Sequence, residues 1–209
     1  MIRFLYADQL HAFPKLRDAR RLDRAEQFKR RLGWEVTVDA DGFERDEYDD
    51  LNPLYVIWET PDGGHGGSMR FLPSVGRTMV NDHFAHLADT QISSPAIWEC
   101  TRFCLAADAA PNVSALLMLA GSELMTRFRV THFVGVFDTR MVRIYQRIGA
   151  SPEVLGSVGD GRDKISVGLW SFTEPALLRL QKRAGVSLEL SRYWAMRAFG
   201  EGDRAAWAA

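Results

Sequence analysis

The chain has 209 residues, of which 46% are hydrophobic and 25% are charged, and its formal net charge is -1. This composition fits one globular domain over residues 1–209 and excludes a disordered, collagen-like or coiled-coil chain. A net charge near zero argues against nucleic-acid binding by the molecule as a whole. The first residues, MIRFLYADQLHAF, contain too many polar positions for a secretory signal or a membrane span, so we expect a cytoplasmic protein.

A basic, amphipathic helix is predicted over residues 15–32. Leu16, Ala25 and Phe28 belong to an apolar set that recurs at spacings of three and four, and Gly33 ends the pattern. Eight lysines and arginines fall between positions 15 and 31. We therefore expect this segment to be able to meet an acidic partner.

The next part of the chain is predicted to be a loop followed by a β-hairpin. The segment VDADGFERDEYDDLNP is acidic, rich in turn residues and too polar for the core. Strands are predicted at residues 54–60 and 68–75, around the sequence PDGGHGG. That glycine run lacks the lysine and the strand-to-helix context of a phosphate-binding loop, so we interpret it as the hairpin turn.

Strands and helices alternate through the rest of the chain. We predict strands at residues 96–106, 131–139 and 164–172, and helices at 114–128, 140–149 and 175–184. From about residue 185 the sequence does not predict where the chain docks. The order of elements favours an α/β layered domain with a mixed sheet. Cys100 and Cys104 share one strand, about 13 Å apart, and are not expected to form a disulfide.

Charged side chains occur inside strands that are otherwise apolar. Arg70 lies in MRFLP, and Glu99 and Arg102 lie in IWECTRFCL. Burying a charge is costly unless it is paired, and the loop acids Asp46 and Asp49 are available as partners. The pattern therefore predicts a buried network of charges.

The spacing of two of these charges also predicts an irregular strand. Regular alternation would place Glu99 on one face of the sheet and Arg102 on the other. If both serve one cleft, a bulge or bend must separate them, and bulges are common beside active sites. We predict a bulge within residues 100–103.

Several short motifs resemble those of the acyl-homoserine-lactone (autoinducer) synthases, a family that shares its fold with the GNAT acetyltransferases. The resemblance runs from about residue 24 to residue 149. The matching residues, in chain order, are Arg24, Phe28 and Trp34; Asp46 and Asp49; Arg70; Phe84; and Glu99, Thr101, Arg102 and Phe103. The resemblance implies a GNAT-like α-β-α layered domain with a central mixed, splayed β-sheet.

Taken singly, most of these residues have a simpler interpretation. Arg24 on a basic helix is typical of a solvated face, while Phe28 and Trp34 are typical of core packing. A D-x-x-D sequence in an acidic segment is usually only a loop. The whole set, in order and at matching spacing, is what indicates the family.

The resemblance implies a two-step reaction. The amino group of S-adenosylmethionine attacks an acyl thioester, and the methionine carboxylate then closes onto its own γ-carbon and expels methylthioadenosine. An α-amino group, with a pKa of about 7.7–8.0, needs a base to become nucleophilic, and burial makes Glu99 the candidate. Neither a metal ion nor a further cofactor is expected.

The resemblance also implies roles for the other residues. Arg102 and Arg24 would hold the methionine carboxylate, and backbone N–H groups near Thr101 would stabilise the thioester oxyanion. The implied catalytic residues are Glu99, Asp46, Asp49, Arg70 and Arg102. The implied contacts to S-adenosylmethionine are Arg24, Phe28, Trp34, Thr101, Arg102 and Phe103.

An apolar pocket for the acyl chain is expected between the helix at 114–128 and the strand at 131–139. Its expected lining is Leu117, Gly121, Leu124, Gly135 and Phe137. Aligned with the family that the chain resembles, the two glycines fall where some relatives carry a bulkier side chain or a hydroxyl that favours a 3-oxo acyl group. The resemblance therefore implies room for a longer or bulkier chain and no hydroxyl contact to a 3-oxo group, unless the glycines reflect close helix–strand packing. The acyl donor would be an acyl carrier protein or acyl-coenzyme A. A carrier protein, being acidic, would dock on the basic N-terminal helix or on Arg179, Lys182 and Arg183.

Other functions fit the sequence less well. His83 and His86 lack a third ligand at a recognisable spacing, so no metal site is predicted. The main alternative is an ordinary GNAT-type N-acetyltransferase using acetyl-coenzyme A, but the glycine-rich turn of that class is missing from ADAAPNVSALL, after the strand at 96–106. A catalytically inactive sensor would be expected to lose Glu99 or the loop acids, all of which are present.

Overall fold

The computed structural model describes residues 1–200. In that part of the chain the strands are β1 (Ile2–Tyr6), β2 (Thr37–Val38), β3 (Glu44–Arg45), β4 (Leu54–Glu59), β5 (His65–Pro73), β6 (Ile97–Leu105), β7 (His132–Asp138), β8 (Glu153–Val158) and β9 (Ile165–Trp170). The α-helices are α1 (Pro14–Arg24), α2 (Met79–His83), α3 (Val113–Phe128), α4 (Met141–Ile148), α5 (Glu174–Ala184) and α6 (Leu188–Phe199). Each strand and helix predicted from the sequence is present, with its ends moved by a few residues.

The sequence patterns do not predict four of the longer elements, which are β1, α2, β8 and α6. β8 lies at the edge of the sheet and is largely exposed, so its residues do not alternate between polar and apolar. α6 packs against β1 and α3. The segment beyond residue 185, whose docking was not predicted, is therefore attached to the domain as far as residue 199, and residues 201–209 lie outside the described residues.

Seven strands form one mixed sheet in the order β1-β4-β5-β6-β7-β9-β8. Side chains alternate between its two faces, as β4 shows: Leu54 and Val56 enter the core that contains α3, whereas Tyr55 and Ile57 enter the core beside α1. The apolar residues of α4, α5 and α6 join the α3 core, and α2 covers the opposite face. The result is the predicted α-β-α layering.

The centre of the sheet opens between β6 and β7. These strands are parallel and pair only from Ile97 with His132 to Glu99 with Val134. Beyond Glu99 both strands continue, β6 to Leu105 and β7 to Asp138, without pairing to each other. The sheet is therefore splayed, as predicted, and the gap lies directly after Glu99.

A bulge interrupts β6 beside this gap. On β5 Ser68 pairs with Cys104 and Arg70 pairs with Thr101, so two steps along β5 match three steps along β6. The backbone of Arg102 has a φ of 52°, in the left-handed region. This confirms the bulge predicted within residues 100–103, and it turns Arg102 to the same face as Thr101.

The first helix changes its pitch before it ends. After α1 the chain continues as a π-helix over Ala25–Arg31, in which Leu32 N–H donates to the Gln27 carbonyl at 3.1 Å. Trp34 N–H then donates to the Phe28 carbonyl at 2.8 Å, around Gly33, whose φ is 69°. This wider turn rotates Phe28 relative to α1 and brings Trp34 back beside it, and such turns are frequent at functional sites.

The backbone of β8 approaches the backbone of a neighbouring segment so closely at Gly156 that only glycine fits there. A Cβ atom at Gly156 would overlap the carbonyl oxygen of Leu87. We expect Gly156→Ala to lower the free energy of unfolding by about 1–3 kcal/mol, because backbone atoms must separate. Urea denaturation would measure this change.

The matched control is Gly76→Ala, where the added Cβ would lie at an ordinary 3.6 Å from the Pro73 carbonyl oxygen. We expect that substitution to change stability by less than about 0.5 kcal/mol. Equal unfolding midpoints for both variants would contradict the close packing of β8 on the segment that contains Leu87.

Candidate active site

Three arginines and three carboxylates form one ion-paired network between α1 and the sheet. Arg24 comes from α1, Arg70 from β5 and Arg102 from the β6 bulge. The acids come from the acidic segment before β4 and are Glu44, on β3, with Asp46 and Asp49. Three positive and three negative charges cancel. The buried charge network predicted from the sequence is present, with Glu44 as an additional member.

Arg24 is enclosed within this network. Its Nη1 and Nη2 donate to the two Asp49 oxygens at 3.1 Å each, and its Nε donates to Glu44. The residue is 0% exposed. Burial opposes the charge of Arg24, but Asp49 and Glu44 outweigh it and raise the guanidinium pKa. Its donors therefore face protein carboxylates and are closed to a substrate carboxylate.

Arg70 attaches the acidic loop to the sheet. Its Nη2 donates to Asp46 and its Nη1 to Asp49, both at 2.9 Å, and its Nε donates to the Thr101 hydroxyl at 3.0 Å. Thr101 lies on β6, directly before the bulge. Arg70 thus joins the loop, β5 and β6 at one point.

Arg102 closes the network on its open side. Its Nε donates to Glu44 at 3.1 Å, and its Nη2 lies 2.6 Å from an Asp46 oxygen. The guanidinium carbon stands 5.5 Å from the centre of the Phe28 ring, which in turn stacks on Trp34 at 5.3 Å. Phe28 is 3% exposed, so its ring supports Arg102 and Trp34 from within the fold.

The loop acids are held in their ionised forms. Burial opposes ionisation of Asp46 and Asp49, but the guanidiniums around them outweigh it and hold both carboxyl pKa values below their usual range. The stability that these two groups contribute is fully present above an unfolded pKa of about 3.9. It is lost as the pH falls toward their lower pKa in the folded state.

The prediction that the acidic segment is too polar for the core holds for most of its residues, which are exposed or partly exposed, but it is wrong for Glu44 and Tyr48. Glu44 is 0% exposed and Tyr48 is 2% exposed. Carboxylates enter a core when guanidiniums neutralise them, and here Arg24 and Arg102 share Glu44. The sequence signal was available, because Glu44 precedes the D-x-x-D pair, but on its own a glutamate in a polar segment indicates a loop.

Glu99 lies apart from these ion pairs and holds the start of α2. Its two oxygens accept N–H groups from Val80 at 2.6 Å and Met79 at 3.2 Å. Burial raises the pKa of Glu99, while these two hydrogen bonds oppose the rise. A carboxylate has about four acceptor positions, so Glu99 keeps capacity for a proton.

Two cavities open on opposite faces of β6 and share Arg102. A polar cleft of about 170 Å³ is lined by Glu35, Val36, Thr37, Arg45, Asp46, Glu47, Tyr48, Met79, His83 and Arg102. An apolar cavity of about 50 Å³ lies in the gap between β6 and β7, and the residues from Cys100 to Phe103 form one wall. The bulge is therefore the point at which a polar and an apolar ligand would meet.

The residues predicted to line the acyl pocket divide into two groups. Gly121 and Gly135 line the apolar cavity, together with Tyr145 and Trp170. The others pack behind it: Leu117 and Leu124 are 0% exposed in the α3 core, and Phe137 stacks edge-on against Tyr145 and Trp170. The sequence placed the cavity between the correct helix and strand but did not identify its aromatic walls.

Gly121 and Gly135 differ in how much space surrounds them. A Cβ on Gly121 would lie at ordinary distances of 3.5 Å or more from Phe133, Met69 and Phe71, so this position leaves room in the cavity. A Cβ on Gly135 would lie 2.8 Å from the Cys100 carbonyl oxygen, so this position reflects close packing.

Residues 1–200 contain neither a metal-binding cluster nor a membrane-spanning helix. No group of three or more His, Cys, Asp or Glu side chains in that range is arranged to hold a metal ion. None of the helices described there has the length and apolar character needed to cross a bilayer.

The sequence matches a known protein family over most of its length. The model of the autoinducer synthase family matches residues 9–169. The acyl-homoserine-lactone synthase of Rhizobium etli is 36% identical over 210 residues, which cover 97% of this chain and 99% of that protein. This chain belongs to the autoinducer synthase family.

Solved structures agree with this assignment. The coenzyme-A-dependent acyl-homoserine lactone synthase BjaI, solved with SAM and isopentyl-CoA, is similar with a TM-score of 0.77 and 22% identity, over 89% of this chain and 90% of that one. TofI, solved in a ternary complex with an inhibitor and MTA, has a TM-score of 0.67 and 26% identity, over 82% and 91% of the two chains. The GNAT-like fold is thereby confirmed.

As a member of this family the protein is an acyltransferase that makes an acyl-homoserine lactone, a quorum-sensing signal, from S-adenosylmethionine and an acyl donor. The family match decides against the ordinary acetyltransferase that was the main alternative.

Glu44 offers a direct test of the ion-paired network. Glu44→Gln leaves Arg24 and Arg102 one carboxylate short inside the protein, so we expect the free energy of unfolding to fall by about 3–5 kcal/mol. Glu47→Gln, in the same loop, is the matched control, because its side chain is 49% exposed and contacts only Arg77 and His83 among the described ion pairs. Urea denaturation would measure both variants. An equal loss of unfolding free energy in the two would show that the network contributes no stability.

Proposed function

We propose that the polar cleft binds S-adenosylmethionine, that the apolar cavity binds the acyl chain, and that acyl transfer takes place at the β6 bulge. The observation that carries this proposal is that Arg102 lines both cavities. A charged amino-acid substrate and an apolar acyl chain need separate surroundings that meet at one point. The bulge provides that meeting point.

Arg102 is the proposed anchor for the methionine carboxylate. Unlike Arg24, it lines the polar cleft, and its side chain is 11% exposed. A guanidinium presents paired donors to a carboxylate. The acids Glu35, Asp46 and Glu47 line the same cleft and favour the positive sulfonium.

The remaining ionic residues act by positioning Arg102. Arg24 and Arg70 hold the loop acids, and Glu44 joins Arg24 to Arg102. Phe28 supports the guanidinium from below. Trp34 remains the proposed aromatic contact for the substrate. It is half-buried and directly precedes the cleft residues Glu35–Thr37 in sequence.

Glu99 is the proposed base. Met79 lines the polar cleft and also donates to Glu99, which places this carboxylate behind the cleft wall. In the first step the substrate amino group gives up a proton toward Glu99, directly or through a water, and its nitrogen attacks the thioester carbonyl. The C–N bond forms, the C–S bond breaks, and the departing sulfur takes up the second proton that the nitrogen loses, so the donor leaves as a thiol.

Two further features assist the chemistry. Beyond Glu99 the edge of β6 toward β7 is unpaired, so backbone N–H groups of Thr101 to Phe103 are proposed to stabilise the thioester oxyanion. In the second step a carboxylate oxygen attacks the γ-carbon of the same molecule, and methylthioadenosine leaves as a neutral thioether. That step is intramolecular, so holding the substrate curled in the cleft supplies much of the rate.

The donor is proposed to dock on the face formed by α4 and α5. Arg143, Arg147, Arg179, Lys182 and Arg183 are exposed there, and none of them belongs to an ion pair among the described residues. Tyr145 of α4 and Phe172, just before α5, line the apolar cavity, so this face borders its mouth. An acidic carrier protein or the phosphates of coenzyme A would be attracted to it.

The N-terminal helix is less suited to this role than its sequence suggests. Arg20 and Arg24 are buried, and Arg17 and Arg30 are paired with Asp18 and Glu26. Of the two docking surfaces that the sequence left open, we therefore favour the one on α5. We further propose that the enzyme works in the cytoplasm, as one domain, without a metal or other cofactor.

The role of Glu99 predicts a defined kinetic change. We expect Glu99→Gln to lower kcat by about 10²–10⁴-fold, because an amide cannot take the proton. In the unmutated enzyme kcat should fall as the pH drops through the raised pKa of Glu99, since only the ionised form is a base. Mass spectrometry of lactone and methylthioadenosine measures both effects, with exposed Glu153→Gln as the control. Full activity of Glu99→Gln would show that a group other than Glu99 is the base.

The two candidate docking faces can be compared by charge reversal. We expect Arg179→Glu with Arg183→Glu to raise KM for the acyl donor about tenfold, and to weaken its dependence on salt, while KM for S-adenosylmethionine stays unchanged. Lys29→Glu with Arg31→Glu is the matched pair on the N-terminal helix and should leave both constants unchanged. The reverse result would move donor docking to that helix. A panel of acyl-carrier and acyl-coenzyme A donors would also name the preferred chain.

A further inference from the structure

A second hydrogen-bonded chain lies next to the ion-paired network and is not part of it. Asp23 on α1 lies 2.6 Å from His65 Nδ1, and His65 Nε2 lies 2.9 Å from the Ser68 hydroxyl. His65 and Ser68, both on β5, are 6% and 1% exposed. None of these residues belongs to the family motifs found in the sequence.

The chemistry of the three groups defines the direction of the hydrogen bonds. An ionised Asp23 can only accept, so His65 Nδ1 carries the proton and donates to it. His65 Nε2 is then the acceptor, and Ser68 donates its hydroxyl hydrogen. Burial lowers the pKa of His65, Asp23 opposes this, and the charges of Arg20 and Arg24 lower it further, which favours the neutral ring.

The order Asp–His–Ser matches that of a nucleophile relay, but its position does not suit a nucleophile. Ser68 lines neither the polar cleft nor the apolar cavity, and it is almost completely buried. An acyl group would have no path to its hydroxyl oxygen. The relay must therefore act through the parts of the fold that it joins.

The relay joins α1, which carries Arg24, to β5, the strand that pairs with β6 beside Arg102. Asp23 directly precedes Arg24 on α1. Ser68 pairs with Cys104, the first regular pair beyond the bulge that presents Arg102. A shift of α1 along β5 would move Arg24, and with it Glu44, relative to Arg102.

We propose that Asp23, His65 and Ser68 form a positioning relay that keeps α1 in register with the β6 bulge and thereby sets the affinity of the enzyme for S-adenosylmethionine. This inference rests on the proposed role of Arg102 in binding that substrate. The relay fixes where the guanidinium stands before the substrate arrives. It takes no part in proton transfer or bond formation.

The test compares KM with kcat in variants that interrupt the relay at its central histidine and at its serine end. We expect His65→Ala and Ser68→Ala each to raise KM for S-adenosylmethionine about tenfold while kcat at saturation changes by less than about threefold. The double variant should be no worse than the more impaired single variant, because the three groups act as a unit. His65→Asn, whose amide can still donate to Asp23, should recover part of the affinity. Exposed His11→Ala is the control.

Other outcomes would overturn the proposal. Lower stability in urea with unchanged KM would make the relay a structural feature only, and a lower kcat with unchanged KM would assign it a chemical role. Ser68→Ala removes a single hydroxyl, so it keeps the test valid even where His65→Ala does not fold. If Arg102→Ala leaves KM for S-adenosylmethionine unchanged, the proposed function fails instead, and that result is distinct from a failure of the relay.

Discussion

The structure depends on burying three guanidiniums and three carboxylates at one interface between α1 and the sheet. Each charge alone would cost several kcal/mol to remove from water, so none can be buried before its partners arrive. The acidic loop must therefore fold onto β5 and β6 together with α1. The network is therefore assembled without substrate, because Arg70 and Arg24 already donate to carboxylates within the protein.

The splayed sheet follows from two backbone features that reinforce each other. Parallel pairing of β6 and β7 ends at Glu99, and the bulge at Arg102 then bends β6 away from regular geometry. A closed sheet would put a continuous wall between the two faces. The gap instead lets apolar side chains such as Trp170 line a cavity that reaches the same strand as the ion-paired network.

The sequence predicted the layered fold, the buried charge network and the bulge in β6 because all three depend on local patterns. Charges in apolar strands required partners, and the spacing of Glu99 and Arg102 required a bulge; the structure contains both. The features that the sequence could not predict depend on tertiary contacts. The burial of Glu44 needs two arginines distant in sequence, and the pairing of His65 with Asp23 crosses 42 positions. The exposed edge strand β8 has no apolar alternation to detect.

The proposed chemistry also explains how products would leave a site built from charges. Bound S-adenosylmethionine carries a carboxylate that Arg102 can hold and a sulfonium that the cleft acids can attract. Lactone closure removes both charges at once, since the carboxylate becomes an ester and the sulfonium becomes a thioether. The ionic attractions that favoured the substrate then have no counterpart in the products, while the ion-paired network remains neutral and intact. Discrimination between substrate and product therefore requires no movement of the network itself.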